Sequence, residues 1–207
     1  MSSSAPVLLF APGAGAPSSS SWMKRWQQHL ATLRINGSPL REVVAFDYPY
    51  RAQGRKTPDR QPVLVAAHVA ALRDLAARSP GVPVVLIGKS MGGRIGCHVA
   101  ADHPAEVAAV VCLGYPLKSG ATGALRDEVL VRLRTPILFV QGTRDPLCPL
   151  ETLASTRERM IALSELHVVD GGNHSLELPA KARAQQKESD TNVLNSIAAF
   201  LEKALPR

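Results

Sequence analysis

The chain has 207 residues, 45% hydrophobic and only 4% aromatic, so its core must come from Val, Leu, Ile and Ala. A net charge of +7 is spread over scattered Lys and Arg, which argues for a solvated basic surface and against nucleic acid as the partner. No apolar run approaches the roughly 20 residues of a membrane helix, and three cysteines without paired or metal-ligand spacing argue against a disulfide framework and against zinc.

In chain order, the start MSSSAPVLLF has no basic residue ahead of its short apolar stretch. It therefore lacks the charged opening of a secretory leader, and strand Val7–Ala11 is expected to begin the fold. Pro12-Gly13-Ala14-Gly15 follows it, and Trp22–Leu33 has helical spacing. Val43–Phe46 reads as a second strand, with Asp47-Tyr48-Pro49-Tyr50 after it. Pro62–Arg78 reads as a helix stopped by Ser79-Pro80-Gly81. Strand Val82–Ile87 then runs into Gly88-Lys89-Ser90-Met91-Gly92-Gly93 and a helix, Met91–His103. Strand Val107–Leu113 leads to Tyr115 and Pro116. The segment Gly114–Thr135 holds about one short helix, too little for a cap domain. Strand Ile137–Val140 precedes Gly142-Thr143-Arg144-Asp145-Pro146, and helix Glu151–Leu163 follows. Strand Leu166–Val169 precedes Gly171-Gly172-Asn173-His174-Ser175. Ala180–Ser189 is polar and reads as an exposed loop or loose helix. The last helix, Asn192–Leu205, would be capped by Asp190 or Thr191. Unbroken β-branched runs alternating with amphipathic segments predict one α/β domain over 1–207. Its sheet should be mostly parallel, with about six strands and helices on both faces.

Open sheets of this kind bind ligands at the carboxyl ends of their strands. Three residues of complementary chemistry fall there, in the order Ser90, Asp145, His174. A serine hydroxyl is a weak nucleophile at neutral pH and needs a base to take its proton. His174 fits that role, and Asp145 would fix the imidazole tautomer and stabilise its charged form. Asp170 is a rival acid, but it shares a loop with His174 and has the poorer strand position. The oxyanion needs aligned N–H donors. Met91 supplies one at a helix N-terminus, and the second is assigned to Ala14, with Gly15 as the neighbouring possibility. Gly88 and Gly92 would clear side chains from the turn, and Gly93 and Gly96 would let the helix lie close to the sheet. Candidates for substrate contact are Gly15, Lys89, Tyr48, Tyr50, Tyr115 and Pro116. For Lys89, contact with an anionic group and a solvated position both stay open. His29, His68, His98, His103 and His167 lie in or beside predicted helices and strands and read as structural, as do Cys97, Cys112 and Cys148.

The stretches GKSMGG, GTRDPL and GGNHSL resemble the nucleophile, acid and histidine motifs of the α/β-hydrolase superfamily. The resemblance runs from Val7 to Leu201. Within the superfamily the chain is similar to a compact dienelactone-hydrolase-like branch. That branch includes testis-expressed hydrolase-like proteins and the hydrolase-like domain of a chromatin acetyltransferase subunit. The resemblance implies an α/β-hydrolase fold and an esterase-type triad; as a departure from the family pattern, the sheet is expected to be trimmed, since nothing before Val7 in the sequence would supply its first two strands. Ser90 stands where dienelactone hydrolases carry cysteine. The expectation is a serine hydrolase acting on a carboxylic ester or thioester, on a small-molecule or acylated substrate. It needs no metal or organic cofactor and sits in a reducing compartment, cytoplasmic or nuclear; the oligomeric state stays open. The alternative from another class is a non-catalytic interaction module or ligand receptor on the same fold.

Overall fold

Strand side chains alternate between two faces, and in this chain both sets are apolar. The computed structural model describes residues 5–205; the opening serines, part of the leader reading, lie outside them. The elements run β1 (Val7–Ala11), α1 (Ser21–Ala31), β2 (Arg34–Ile35), β3 (Ser38–Pro39), β4 (Glu42–Ala45), α2 (Pro49–Ala52) and α3 (Gln61–Arg78). They continue through β5 (Val84–Lys89), α4 (Met91–Asp102), β6 (Ala109–Leu113), α5 (Glu128–Arg132), β7 (Ile137–Gly142), α6 (Leu150–Arg157) and β8 (Ser164–Val169). A 3₁₀ segment, Ala180–Gln185, leads into α7 (Gln186–Ala204).

Six strands form one parallel sheet in the order β4-β1-β5-β6-β7-β8. Leu8, Phe10, Val85, Ile87, Val111 and Val140 point to one face, where Met23, Trp26 and Leu30 of α1 and Ile197 and Phe200 of α7 cover them. Val7, Leu9, Leu86, Val110, Cys112 and Phe139 point to the other. There they meet Leu72 and Leu75 of α3, Cys97 and Val99 of α4, Val129 and Leu130 of α5, and Leu153 of α6. Burying each such Leu, Val or Phe contributes roughly 1.5–3 kcal/mol, so two-sided coverage is the main source of stability. No cap domain is inserted; between β6 and β7 the chain makes only α5 and its loops.

Several elements differ from the sequence reading. The segment expected as a loose loop is the 3₁₀ turn plus the first turn of α7. Asp190 and Thr191 therefore lie inside that helix rather than at its cap. The cause is Gln186, whose side chain accepts from the Leu178 N–H, donates to the Leu176 carbonyl and also donates to Asp190, all buried. Helix α6 ends at Arg157 rather than Leu163, because the Arg157 guanidinium turns to Ser164 at the start of β8. The hairpin β2–β3 was not anticipated; it turns on Asn36-Gly37, both at positive φ.

The sheet order reverses at β1, whose two neighbours are β4 and β5. The crevice beyond the ends of β1 and β5 is thus the topological switch point, where open sheets bind ligands. The loop holding Ala14 and the turn holding Ser90 leave these two strands side by side, with Ala11 in register with Gly88.

Candidate active site

Ser90 occupies the apex between β5 and α4 with φ 50° and ψ −115°. A non-glycine residue held there costs about 1–3 kcal/mol and persists only where its surroundings fix it. Its N–H donates to the Leu113 carbonyl at 3.0 Å, and its carbonyl accepts from the Arg94 N–H at 3.1 Å. Bare backbone makes the turn sterically possible. A Cβ on Gly88 would overlap the main chain of Gly92 and Gly93, and one on Gly92 would overlap the Ala11 carbonyl. Gly93 is also tight, with 2.9 Å to the Gly88 carbonyl oxygen, whereas Gly96 has only ordinary contacts.

His174 arrives on the loop after β8. Its Nε2 is 2.8 Å from Ser90 Oγ and its Nδ1 is 2.7 Å from Asp145 Oδ2. An ionised carboxylate can only accept, so Nδ1 carries the proton and Nε2 turns its lone pair to the serine hydroxyl. Asp145 is buried, at 4% exposure. Its Oδ1 accepts from the Leu147 N–H at 2.9 Å, and its Oδ2 also accepts from Gln141 Nε2. Gln141, buried near the end of β7, in turn accepts from the Tyr115 N–H at 3.0 Å. The sequence reading passed over Gln141, though a lone amide in the apolar run Ile137–Gly142 was its visible signal. Asp170, the rival acid, is exposed and takes only a 3.4 Å contact from the Thr143 hydroxyl.

Ala14 and Met91 both line the cavity in front of Ser90, which has a volume of about 360 Å³. The Ala14 carbonyl is tied back by the Tyr50 hydroxyl at 3.1 Å and Arg51 Nη2 at 2.9 Å. Leu64, Pro116 and Leu147 supply the apolar wall, while Asp59, Gln61, Arg94 and Arg126 supply polar groups. Only Pro116 of that set was expected there.

The remaining sequence candidates lie elsewhere. Tyr48, Tyr50 and Tyr115 are fully buried, which is a correction to their reading as substrate contacts. Each hydroxyl has an internal partner: His68 Nδ1, the Ala14 carbonyl and the Arg126 carbonyl respectively. Gly15 is exposed and outside the cavity lining. Lys89 is half-buried and outside the cavity lining. Its Nζ donates to Ser175 Oγ at 2.8 Å, faces the His174 carbonyl at 3.5 Å and sits 4.4 Å from the centre of the Trp22 ring. Burial lowers its pKa from 10.5 to about 8. All three cysteines are free and buried, and burial pushes the Cys148 thiol up to about 12, which makes it a poor nucleophile.

A wider groove, about 680 Å³, runs between α3 and α4 past Val65, Val69, Arg73, His98 and His103 and contains none of Ser90, Asp145 or His174. Among the described residues, no group of three or more His, Cys, Asp or Glu is arranged to hold a metal ion, and no helix is long and apolar enough to cross a membrane.

Comparison with known proteins identifies the fold and the family. A family model described as an alpha/beta hydrolase domain matches residues 4–202. An alpha-beta serine hydrolase homologue from Coxiella burnetii is similar in structure, with TM-score 0.72 at 19% identity, over 93% of this chain and 85% of that one. A dienelactone hydrolase from Anabaena variabilis gives 0.71 at 19% identity, over 98% and 88%. A monoacylglycerol lipase from Paleococcus ferrophilus gives 0.67 at 17% identity, over 95% and 96%. At these identities the likeness is one of fold.

Proposed function

The chain belongs to the α/β-hydrolase domain family, and from that premise we propose that it is a serine hydrolase cleaving a carboxylic ester or thioester through an acyl-enzyme. The observation that carries this reading is the relay from Asp145 Oδ2 to His174 Nδ1 and from His174 Nε2 to Ser90 Oγ, at 2.7 and 2.8 Å. Ser90 Oγ attacks the substrate carbonyl carbon as His174 Nε2 takes its proton. The negative charge that forms on the carbonyl oxygen is met by the N–H groups of Met91 and Ala14. Collapse of the tetrahedral intermediate breaks the ester or thioester bond, and His174 returns the proton to the leaving alcohol or thiol. A water, deprotonated by the same nitrogen, then attacks the acyl group and releases the acid with Ser90 restored. Asp145 keeps the imidazole tautomer correct throughout and stabilises its charged form.

The narrower likeness to dienelactone hydrolases has support at the level of fold. Kinship with testis-expressed proteins and with the acetyltransferase subunit rests on the sequence motifs alone.

A fluorophosphonate probe should label the folded wild-type protein and leave Ser90→Ala unlabelled. The same substitution should lower p-nitrophenyl ester hydrolysis by about 10⁴–10⁶-fold. A folded wild type that takes no label would refute the proposal. Labelling with no turnover of any ester would instead favour a ligand receptor.

A further inference from the structure

Two arginines line the cavity in front of Ser90, and neither has a carboxylate partner among the described residues. Arg94 stands one turn into α4. Its Nη1 donates to Gln61 Oε1 at 2.6 Å, while its Nε is buried without a hydrogen-bond partner. Arg126, from the segment after β6, reaches only the Ser119 hydroxyl, at 3.3 Å through Nη2. Asp59 is the third charged residue of the lining; its Oδ1 is held by Arg55 at 2.7 Å, while its Oδ2 is buried without a hydrogen-bond partner, so the lining keeps one carboxylate against two guanidiniums. Elsewhere on the molecule Arg73, Arg78, Arg132 and Arg159 each have a carboxylate partner. Other arginines also lack a carboxylate, and Arg51 and Arg157 are bonded to main-chain carbonyls instead; Arg94 and Arg126 are the two that line the cavity containing Ser90.

A guanidinium does not shed its charge in a protein. Two of them beside one partly enclosed cavity repel each other, and burying a charge without a partner is costly. Burial already pushes the Arg94 pKa down, and Arg126 adds to that effect. An anion entering the cavity would remove both penalties and gain charge-assisted hydrogen bonds from planar donors suited to carboxylate or phosphate. Leu64, Pro116 and Leu147 leave an apolar wall beside them for a short carbon chain.

We propose that Arg94 and Arg126 form an anion subsite, so that the substrate is an ester or thioester carrying a compact carboxylate or phosphate group. The anion rests on the two guanidiniums while the scissile carbonyl lies against Ser90. The inference deepens the esterase reading and depends on it for the carbonyl, but not for the anion.

Calorimetric titration with adipate and with inorganic phosphate, at constant ionic strength, reads the subsite whether or not turnover occurs. Wild type and Ser90→Ala should both bind at least one of the two anions. Arg94→Gln and Arg126→Gln should each weaken that binding by about tenfold, the loss expected for one charge-assisted contact. Which anion binds distinguishes carboxylate from phosphate. Melting curves check folding; should Arg94→Gln unfold through loss of its Gln61 bond, Arg126→Gln still reads the site. A wild type that binds neither anion, or binding unchanged in folded Arg126→Gln, overturns the proposal. Fluorophosphonate labelling run in parallel separates the two readings: a labelled protein that binds no anion keeps the esterase and loses the subsite.

Discussion

Lys89 precedes Ser90, yet its side chain turns away from the cavity and under the loop that carries His174. Trp22 closes the same clamp, its indole N–H donating to the Ser175 carbonyl at 2.9 Å while its ring lies beneath the ammonium. Lys89 therefore braces the loop that carries His174. Its pKa in the fold is about 8 against an ordinary 10.5. Below about pH 8 the lysine is charged in both folded and unfolded chains, and the fold bears the full cost of burying that charge. Between about 8 and 10.5 the folded protein gives up the proton first and the cost fades. Wild type should thus gain stability relative to Lys89→Met as pH rises, by at most about 3 kcal/mol. Denaturant unfolding of both proteins at neutral pH and near pH 9.5 checks this; parallel changes in the two would show that the charge is not buried as described. Nothing in the motif GKSMGG foretold this role, because the Trp22 and Ser175 partners come from distant segments and only the folded chain brings them to Lys89.

Among elements, α3 carries the strongest pH liability. His68 on that helix is fully buried against Tyr48 and Phe46, and burial lowers its pKa to about 3. Above about pH 6.5 the imidazole is neutral in folded and unfolded chains alike. As pH falls from there toward 3, the unfolded chain takes up a proton that the fold refuses, and stability is lost. His68→Gln, which removes the titration and keeps a polar partner for Tyr48, should lose about 2–3 kcal/mol less than wild type between neutral pH and pH 4.5. Chemical denaturation at the two pH values measures the difference; equal losses would contradict it. The elements were largely readable from sequence because buried parallel strands are unbroken apolar runs and the helices between them keep a polar face. Their ends were less so. Side-chain anchors such as Gln186 and Arg157 decide where α7 begins and α6 stops, and their targets lie eight to ten and seven residues away. The β2–β3 hairpin carried its Asn-Gly turn in plain view, but strands of two residues leave no periodicity to see.

For the whole molecule, the short passage from β6 to β7 leaves the cavity with no cap domain above it. A volume of about 360 Å³ suits short acyl groups. On the proposed esterase activity, p-nitrophenyl acetate and butyrate should exceed the palmitate in kcat/KM by at least tenfold, since a long chain finds no enclosed apolar surface to bury. A palmitate rate equal to the butyrate rate would contradict this. Ser90, Asp145 and His174 could be read from sequence because each follows a strand that is itself obvious. The cavity lining could not, because it is assembled from the starts of α3 and α4 and from irregular loops, where spacing carries no message. The loops that meet there touch through bare main chain. A Cβ on Gly114 would approach the His174 carbonyl to 2.5 Å, and one on Gly142 would overlap the Gly172 carbonyl. The placement of His174 relative to Ser90 is consequently set by main-chain contacts as well as by side-chain reach. Variation among descendants of this chain should then follow a sharp divide: the glycine seam is locked, while Arg94, Arg126, Leu64 and Leu147 stand off it and can be exchanged to reshape the cavity without moving Ser90, Asp145 and His174.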